Sequence, residues 1–394
     1  MPNLMENFPM VAKTFFGFED ILEKELRTLG AMNVKKGVRS VSFSGDKGFM
    51  YKANLSLRTA LKILKPIYSF QVRNEKDYYQ KLYQYDWGTL FAPSQTFAVE
   101  VTLATDLFNH TQYMTLRAKD AIVDKFRAQY GKRPNIDTLH PDIPLFIHIQ
   151  KDNQVIVSLD TSGASLHHRG YRTQTNIAPI NEVLAAGILA LSGWEGQSDF
   201  LDPMCGSGTF LVEAAMMACN IPASLHRKEF AFEKWPDYEV DLFETIFDSA
   251  LSKAKEFPYQ IYGYDKAPSA VMKAKENVKN ARLSEYITIR QQDFFKSKKE
   301  HERPLFMAFN PPYGERLEIN PTLFYQQIGD TLKQGYPNTQ AWLITSNLEA
   351  LKSVGLRPSK KIKLFNGKLE SRLVCYTIYE GSKKAKFQEY NKGS

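Results

Sequence analysis

Apolar positions change their order of recurrence near residue 165. Before it, FEDILEKELRTLG (18–30) places apolar side chains at helical spacing, and turn-separated segments such as VSFSGD (41–46) follow. A small mixed module is predicted from Phe8 to roughly Arg58. In a second stretch that begins around Ile67, TFAVEVTLA (96–104) alternates as a strand does, and LRAKDAIVDKFRAQY (116–130) has a helical period. PLFIHIQKDNQVIVSLDTSG (144–163) reads as two strands turning at Asp152-Asn153. Both N-terminal pieces are therefore expected to be α/β.

Beyond SLHHRGYR (165–172), the helical segment NEVLAAGILALSGW (181–194) leads into DFLDPMCGSGTFLVEAAMMAC (199–219). A compact apolar strand is expected to stop at Asp202 and a helix to start after Gly208. QIYGYD, YITIRQQD, LFMAFN and AWLITS then alternate with the helical patterns SAVMKAKENVKNA and LFYQQIGDTLKQG. That alternation predicts a mostly parallel sheet with helices on both faces, to which LVCYTIYE adds a late strand. The stretch 229–257 interrupts the pattern and is expected to insert a helix or two.

Composition changes this picture little. The 394 residues exceed one ordinary domain, and 43% hydrophobic with 24% charged residues argues against wholesale disorder or a fibrous chain. A net charge of +8 fits encounter with a polyanion without naming one. Cys205, Cys219 and Cys375 have no paired ligand spacing, so neither a structural metal nor a disulfide framework is implied. The start MPNLMENFPM lacks a basic segment followed by an apolar run, and no apolar stretch reaches membrane-spanning length. A cytoplasmic protein without membrane attachment is expected.

Candidate chemistry gathers at predicted strand ends. Gly206 and Gly208, following Asp202, allow a tight strand-to-helix turn and a close ligand approach. Asp265 and Asp293 end two further β-like runs. In an open parallel sheet such ends surround one crevice, where Asp265 is suited to accept bonds from ribose hydroxyls and Asp293 from an adenine amino group. Each acid alone reads better as a helix cap or a solvated loop acid; their ordered combination is what favours cofactor recognition. Position 211 is Leu, so the turn is not GxGxxG and a nicotinamide-dependent oxidoreductase is a weak competitor. LFMAFN continues into Asn310-Pro311-Pro312-Tyr313. There the Asn310 amide oxygen and the Pro311 carbonyl can accept both N–H bonds of an exocyclic amine, and Tyr313 can stack on an unstacked base. A proline-stiffened loop is the alternative for these four residues.

DPMCGSGTFLVEAA, GYD, QQD and FNPPYGERL together resemble the class I S-adenosylmethionine-dependent RNA methyltransferases, specifically the bacterial 23S ribosomal RNA guanine-N2 methyltransferase family with a THUMP domain. The resemblance covers most of the chain. It implies a ferredoxin-like module over 1–66, a THUMP RNA-binding module over 67–164 and a Rossmann-like methyltransferase domain over 165–394. It assigns cofactor binding to Asp202, Gly206, Gly208, Asp265 and Asp293, and catalysis to Asn310, Pro311, Pro312 and Tyr313. S-adenosylmethionine is the implied cofactor, and structured ribosomal RNA or a large-subunit assembly intermediate is the implied partner. Some members carry a second methyltransferase domain, which a chain ending at Ser394 is expected to lack. NPPY chemistry reads an amine, so an adenine-N6 methyltransferase stays open, as does a noncatalytic RNA-binding assembly protein.

Other residues are less specific. Arg169 and Arg172 are expected to touch RNA phosphates or to join the N-terminal module to the catalytic domain, and Tyr171 to stack or pack. Glu182 reads as a cap or a cofactor-side acid. Arg117, Lys119, Lys125, Arg127, Lys132 and Arg133 form an RNA-facing patch if their helix and turn orient them together. The lysine-rich tail from Lys383 and KSKKEHERP (296–304) read as solvated surface.

Overall fold

The computed structural model describes residues 6–173, 179–312, 320–367 and 369–379. The chain divides into two units: Met1–Thr14 with Leu22–His168 and Arg227–Ala250, and Phe15–Ile21 with Arg169–His226 and Leu251–Ser394.

In the first unit, β1 (Phe8–Lys13), β2 (Met32–Gly37), β3 (Ser40–Gly45), β4 (Lys62–Gln71), β5 (Thr96–Leu103), β6 (Asn135–Ile136), β7 (Ile143–Ile149) and β8 (Gln154–Asp160) form one sheet. Its order is β2-β3-β1-β4-β8-β7-β5-β6. The antiparallel β4/β8 pair makes the sheet continuous through both N-terminal pieces, and position 66/67 falls inside β4. The helices are α1 (Glu19–Leu29), α2 (Lys47–Ser56), α3 (Glu75–Gln84) and α4 (Thr111–Tyr130). Leu22 and Leu26 of α1 and Met114, Ala118, Ile122 and Phe126 of α4 join the apolar core at the helical spacing read from sequence.

In the second unit, α5 (Glu182–Ser192), β9 (Asp199–Asp202), α6 (Thr209–Ala218), β10 (Ile261–Asp265), α8 (Pro268–Asn280), β11 (Ile287–Gln291), β12 (Leu305–Phe309), α9 (Pro321–Gly335), β13 (Thr339–Thr345), β14 (Lys360–Asn366) and β15 (Leu369–Ile378) follow in sequence. The sheet order is β11-β10-β9-β12-β13-β15-β14. Strands β9 to β13 pair in parallel, and β15 runs antiparallel to both β13 and β14. Every residue of β9 and of β12 is buried, as expected for central strands covered on both faces. From β9 the chain winds outward through β10 to β11 and then returns to place β12 on the other side of β9. This reversal opens a crevice at the carboxyl ends of β9 and β12.

The interrupting stretch has its own place. Along 227–251, a 3-10 turn (Ala231–Lys234) and α7 (Val240–Leu251) follow one another, and Phe230, Phe232 and Trp235 enter the first unit's core. The Phe232 ring stacks on Tyr51 of α2 at 4.5 Å, while Lys47 Nζ lies 2.7 Å from Glu239 Oε1. Arg227 donates to the carbonyls of Ser162, Ser165 and His168 at 2.8, 3.0 and 3.2 Å. A fork of donors meeting several carbonyls uses guanidinium geometry that lysine lacks. No described helix is long and apolar enough to cross a membrane.

Candidate active site

The strand ends carry the predicted groups. Asp202 closes β9 and lies opposite Gly263 of β10, while Met307 of β12 is in register with Leu201. Asp265 closes β10. Asp293 follows β11 by two residues and caps the next 3-10 turn, its carboxylate accepting the Phe295 N–H at 3.0 Å. Asn310 follows β12, half-buried, with Pro311 buried behind it. The fold thus sets Asp202, Asp265, Asp293, Asn310, Pro311 and Pro312 along the carboxyl ends of the neighbouring strands β9, β10, β11 and β12. Tyr313 and Lys383 lie outside the described residues.

Between Asp202 and α6 the chain turns tightly. Gly206 has φ 54° and Gly208, the N-cap of α6, has φ 84°, a left-handed region disfavoured for side chains with a Cβ. A Cβ on Gly208 would also stand 3.3 Å from the Ala274 Cβ of α8. Asp265 fixes this turn with one oxygen, accepting the Gly206 N–H at 3.0 Å, and its own loop with the other, accepting the Ala267 N–H at 2.9 Å. Each carboxylate oxygen retains a further lone pair for an outside donor. The Cys205 N–H donates to the Tyr264 carbonyl at 2.8 Å, so turn and neighbouring strand are joined twice.

Electrostatics follows from burial. The Asp202 carboxyl is 2% exposed, and desolvation raises its pKa well above the ordinary carboxylate range. The Met204 N–H, donated at 3.1 Å, opposes the rise, and the negative charge of Asp265 adds to it. The Asp265 pKa is also raised by burial, against the two N–H donors that favour its charged form. Burial likewise pushes the Cys205 thiol up, so it is poorly suited to act as a thiolate.

These groups fit a nucleoside-bearing cofactor. Carboxyl oxygens of Asp265 and Asp293 at neighbouring strand ends match hydroxyl and amino donors, and Gly206 and Gly208 carry no Cβ to obstruct a ligand at the turn. Among the described residues, no group of three His, Cys, Asp or Glu is arranged to hold a metal.

A supporting layer lies beneath the turn. Asn277 of α8, fully buried, donates from Nδ2 to the Ser207 carbonyl at 3.0 Å. Arg172 Nε lies 3.0 Å from Glu182 Oε1, and its Nη2 donates to Thr209 Oγ1 at 2.6 Å and to the Ile180 carbonyl at 3.2 Å. Arg169 and Glu213 form a fully buried pair at 3.4 Å, and the Tyr171 hydroxyl donates to Glu213 Oε1 at 3.2 Å. Both arginine side chains therefore turn into the second unit rather than toward a surface reaching phosphates, which corrects the expectation of phosphate contact, while Tyr171 is packed, one of the two uses expected of it. A charged residue heading the apolar run of α5 was the legible signal for Glu182. Asn277 gave none, since polar residues are ordinary on a half-exposed helix.

The basic stretch of the first unit is divided. Arg117 lies over the Tyr79 ring at 4.6 Å and Lys125 over Tyr83 at 5.8 Å. Arg127, Lys132 and Arg133 are exposed and border an open groove of about 700 Å³ with Pro93 and Ser94.

Comparison with known proteins agrees with this architecture. Residues 169–374 match the family described as RMKL-like, methyltransferase domain; 72–160 match the THUMP domain, and 9–64 the RlmL ferredoxin-like domain. A ribosomal RNA large subunit methyltransferase K/L from Cellvibrio japonicus is 39% identical over 377 residues, covering 92% of this chain and 50% of that protein. A Synechocystis protein provisionally named an RNA methyltransferase is 34% identical, covering 94% and 97%. The chain spans about half the length of the K/L proteins it matches. Among solved structures, SMU.472, provisionally a methyltransferase and complexed with SAH, is 29% identical with TM-score 0.83, covering 96% and 100%. A Listeria monocytogenes protein described as a predicted N6-adenine-specific DNA methylase is 28% identical with TM-score 0.83, covering 95% and 97%.

Proposed function

This chain belongs to the RMKL-like, THUMP-containing class I methyltransferase family, and on that premise we propose that it transfers a methyl group from S-adenosylmethionine to the exocyclic N2 amine of a guanine in 23S ribosomal RNA. The carrying observation is the placement of Asn310-Pro311 at the end of β12, beside the Asp202 turn of β9, across the reversal in strand order. Acceptor and donor sites thereby share one crevice.

When bound, the cofactor supplies an electrophilic methyl carbon. Asp265 would accept bonds from its ribose hydroxyls and Asp293 from its adenine amino group, beside the Gly206–Gly208 turn. The Asn310 side-chain oxygen and the Pro311 carbonyl accept the two N–H bonds of the target amine. That grip aims the nitrogen lone pair and favours pyramidalisation, which matters because the lone pair is otherwise delocalised into the base. Pro311 and Pro312 restrict the backbone that presents both acceptors. No strong side-chain base is required, since methylation of the neutral amine gives a cationic, N-protonated species that readily releases its proton to water during or after transfer, leaving the neutral methylamine.

The choice of guanine rests on family resemblance and the choice of large-subunit RNA on the names of the K/L relatives. The likeness to the Listeria protein favours adenine N6 as the second reading, because the same two acceptors suit that amine. Isotopically labelled S-adenosylmethionine, incubated with the purified chain and unmodified ribosomal RNA, tests both. Labelled N2-methylguanosine on nucleoside mass spectrometry is the expected product; N6-methyladenosine would reverse the base, and no transfer by folded protein would favour a binding-only role.

A further inference from the structure

We propose that Arg172 is a positioning residue for the cofactor, a clasp that holds the start of α6 and its glycine turn against the start of α5 through Glu182, Ile180 and Thr209. The inference rests on the cofactor reading of this crevice. One guanidinium reaches three acceptors: Glu182 Oε1 at 3.0 Å, the Ile180 carbonyl at 3.2 Å and Thr209 Oγ1 at 2.6 Å. Glu182 and Thr209 are the first residues of α5 and α6, and Gly208, which caps α6, ends the turn that Asp265 anchors from the other side. The turn is consequently held from both flanks, by Asp265 on the strand side and by Arg172 on the helix side.

A planar fork suits this task. Lysine can place a charge near Glu182 but cannot address acceptors on two helices and the carbonyl that precedes α5 with fixed directions. Thr209 is 3% exposed and Glu182 3% exposed, so water does not readily replace the lost partner.

The clasp also has a pH-dependent member. Burial raises the Glu182 pKa to about 7; the positive charge of Arg172 opposes the rise, that of Arg169 opposes it less, and the negative charge of Glu213 adds to it. Besides Arg172, Arg169 and Glu213 the cluster holds Tyr171, whose own pKa burial raises well above 10, so it stays neutral across this range. As pH falls through about 7, Glu182 gains a proton and its charge-assisted bond to Arg172 weakens. Affinity for the cofactor is therefore expected to decline toward acid pH.

Calorimetric titration of the 394-residue chain with S-adenosylhomocysteine, from pH 5.5 to 8.5, tests the clasp without requiring methyl transfer or RNA. Arg172→Lys should weaken binding about tenfold at pH 8, the loss of one hydrogen bond from a charged group. Thr209→Val, which removes only the hydroxyl acceptor, should weaken it by a similar factor, and the double variant should be no worse than either single change. Glu182→Gln should flatten the decline between pH 8 and 6. Unchanged dissociation constants in folded variants, with only a lowered melting temperature, would reduce Arg172 to a structural role and overturn the proposal. So would additive effects of the two single changes. Failure of wild-type protein to bind S-adenosylhomocysteine at all would instead count against the cofactor reading itself.

Discussion

Asn310 places a polar amide directly after five buried apolar positions, Leu305 to Phe309, at the end of a strand covered on both faces. Its proposed task is confined to the acceptor amine, so cofactor affinity and turnover should separate. Asn310→Ala is expected to lower single-turnover methyl transfer about 100-fold while leaving the S-adenosylhomocysteine dissociation constant within about twofold. Equal loss in both measurements would remove the residue from its assigned role. Asp265 has the opposite expected signature, because its oxygens hold the Gly206 and Ala267 amides and its proposed task is to accept from the cofactor. Asp265→Ala should weaken S-adenosylhomocysteine binding by at least about tenfold in calorimetry, since acceptors to a buried ligand and anchors of its loop are lost together. A dissociation constant equal to that of the wild type would exclude it from the ribose position.

The decisive element is the turn between β9 and α6, whose conformation is set by its two flanks. Gly208 adopts φ 84° and faces Ala274 of α8, while Asn277 on the same helix donates to the Ser207 carbonyl. Gly208→Ala should cost about 1–2 kcal/mol through left-handed backbone strain, read as a lower urea midpoint. It should also weaken S-adenosylhomocysteine binding, whereas retained affinity would show that the turn does not shape the cofactor site. This element was largely legible in sequence: strand stop, glycines and helix start fall where DFLDPMCGSGTFLVEAA places them. Its supports were not legible, because Asn277 and Arg172 act across loops and a linear pattern carries no signal of which distant carbonyl a polar side chain meets.

For the whole molecule, the stretch 227–250 departs most from a reading by order along the chain. It interrupts the methyltransferase sequence, yet Phe230, Phe232 and Trp235 complete the core of the first unit. Phe232→Ala should destabilise that unit by about 3–5 kcal/mol, the range for truncating a buried aromatic side chain, and should be measurable by hydrogen exchange in β4, β7 and β8. Exchange in the second unit's parallel strands should change less. A uniform loss across both sheets would refute an origin in the first unit's core.

Sequence alone determined the kinds of group present and the periods that make strands and helices. Apolar runs cannot end in Asp202, Asp265 or Asn310 without placing those polar groups near strand ends, and Gly208 is suited to its turn by its lack of a Cβ. Tertiary structure decided adjacency. That β12 lies beside β9, that β4 pairs with β8, and that Arg169 and Arg172 turn inward to Glu213 and Glu182 are consequences of non-local hydrogen bonding and burial. Local periodicity sets which face of an element is apolar, but only the packed chain determines which other element covers it.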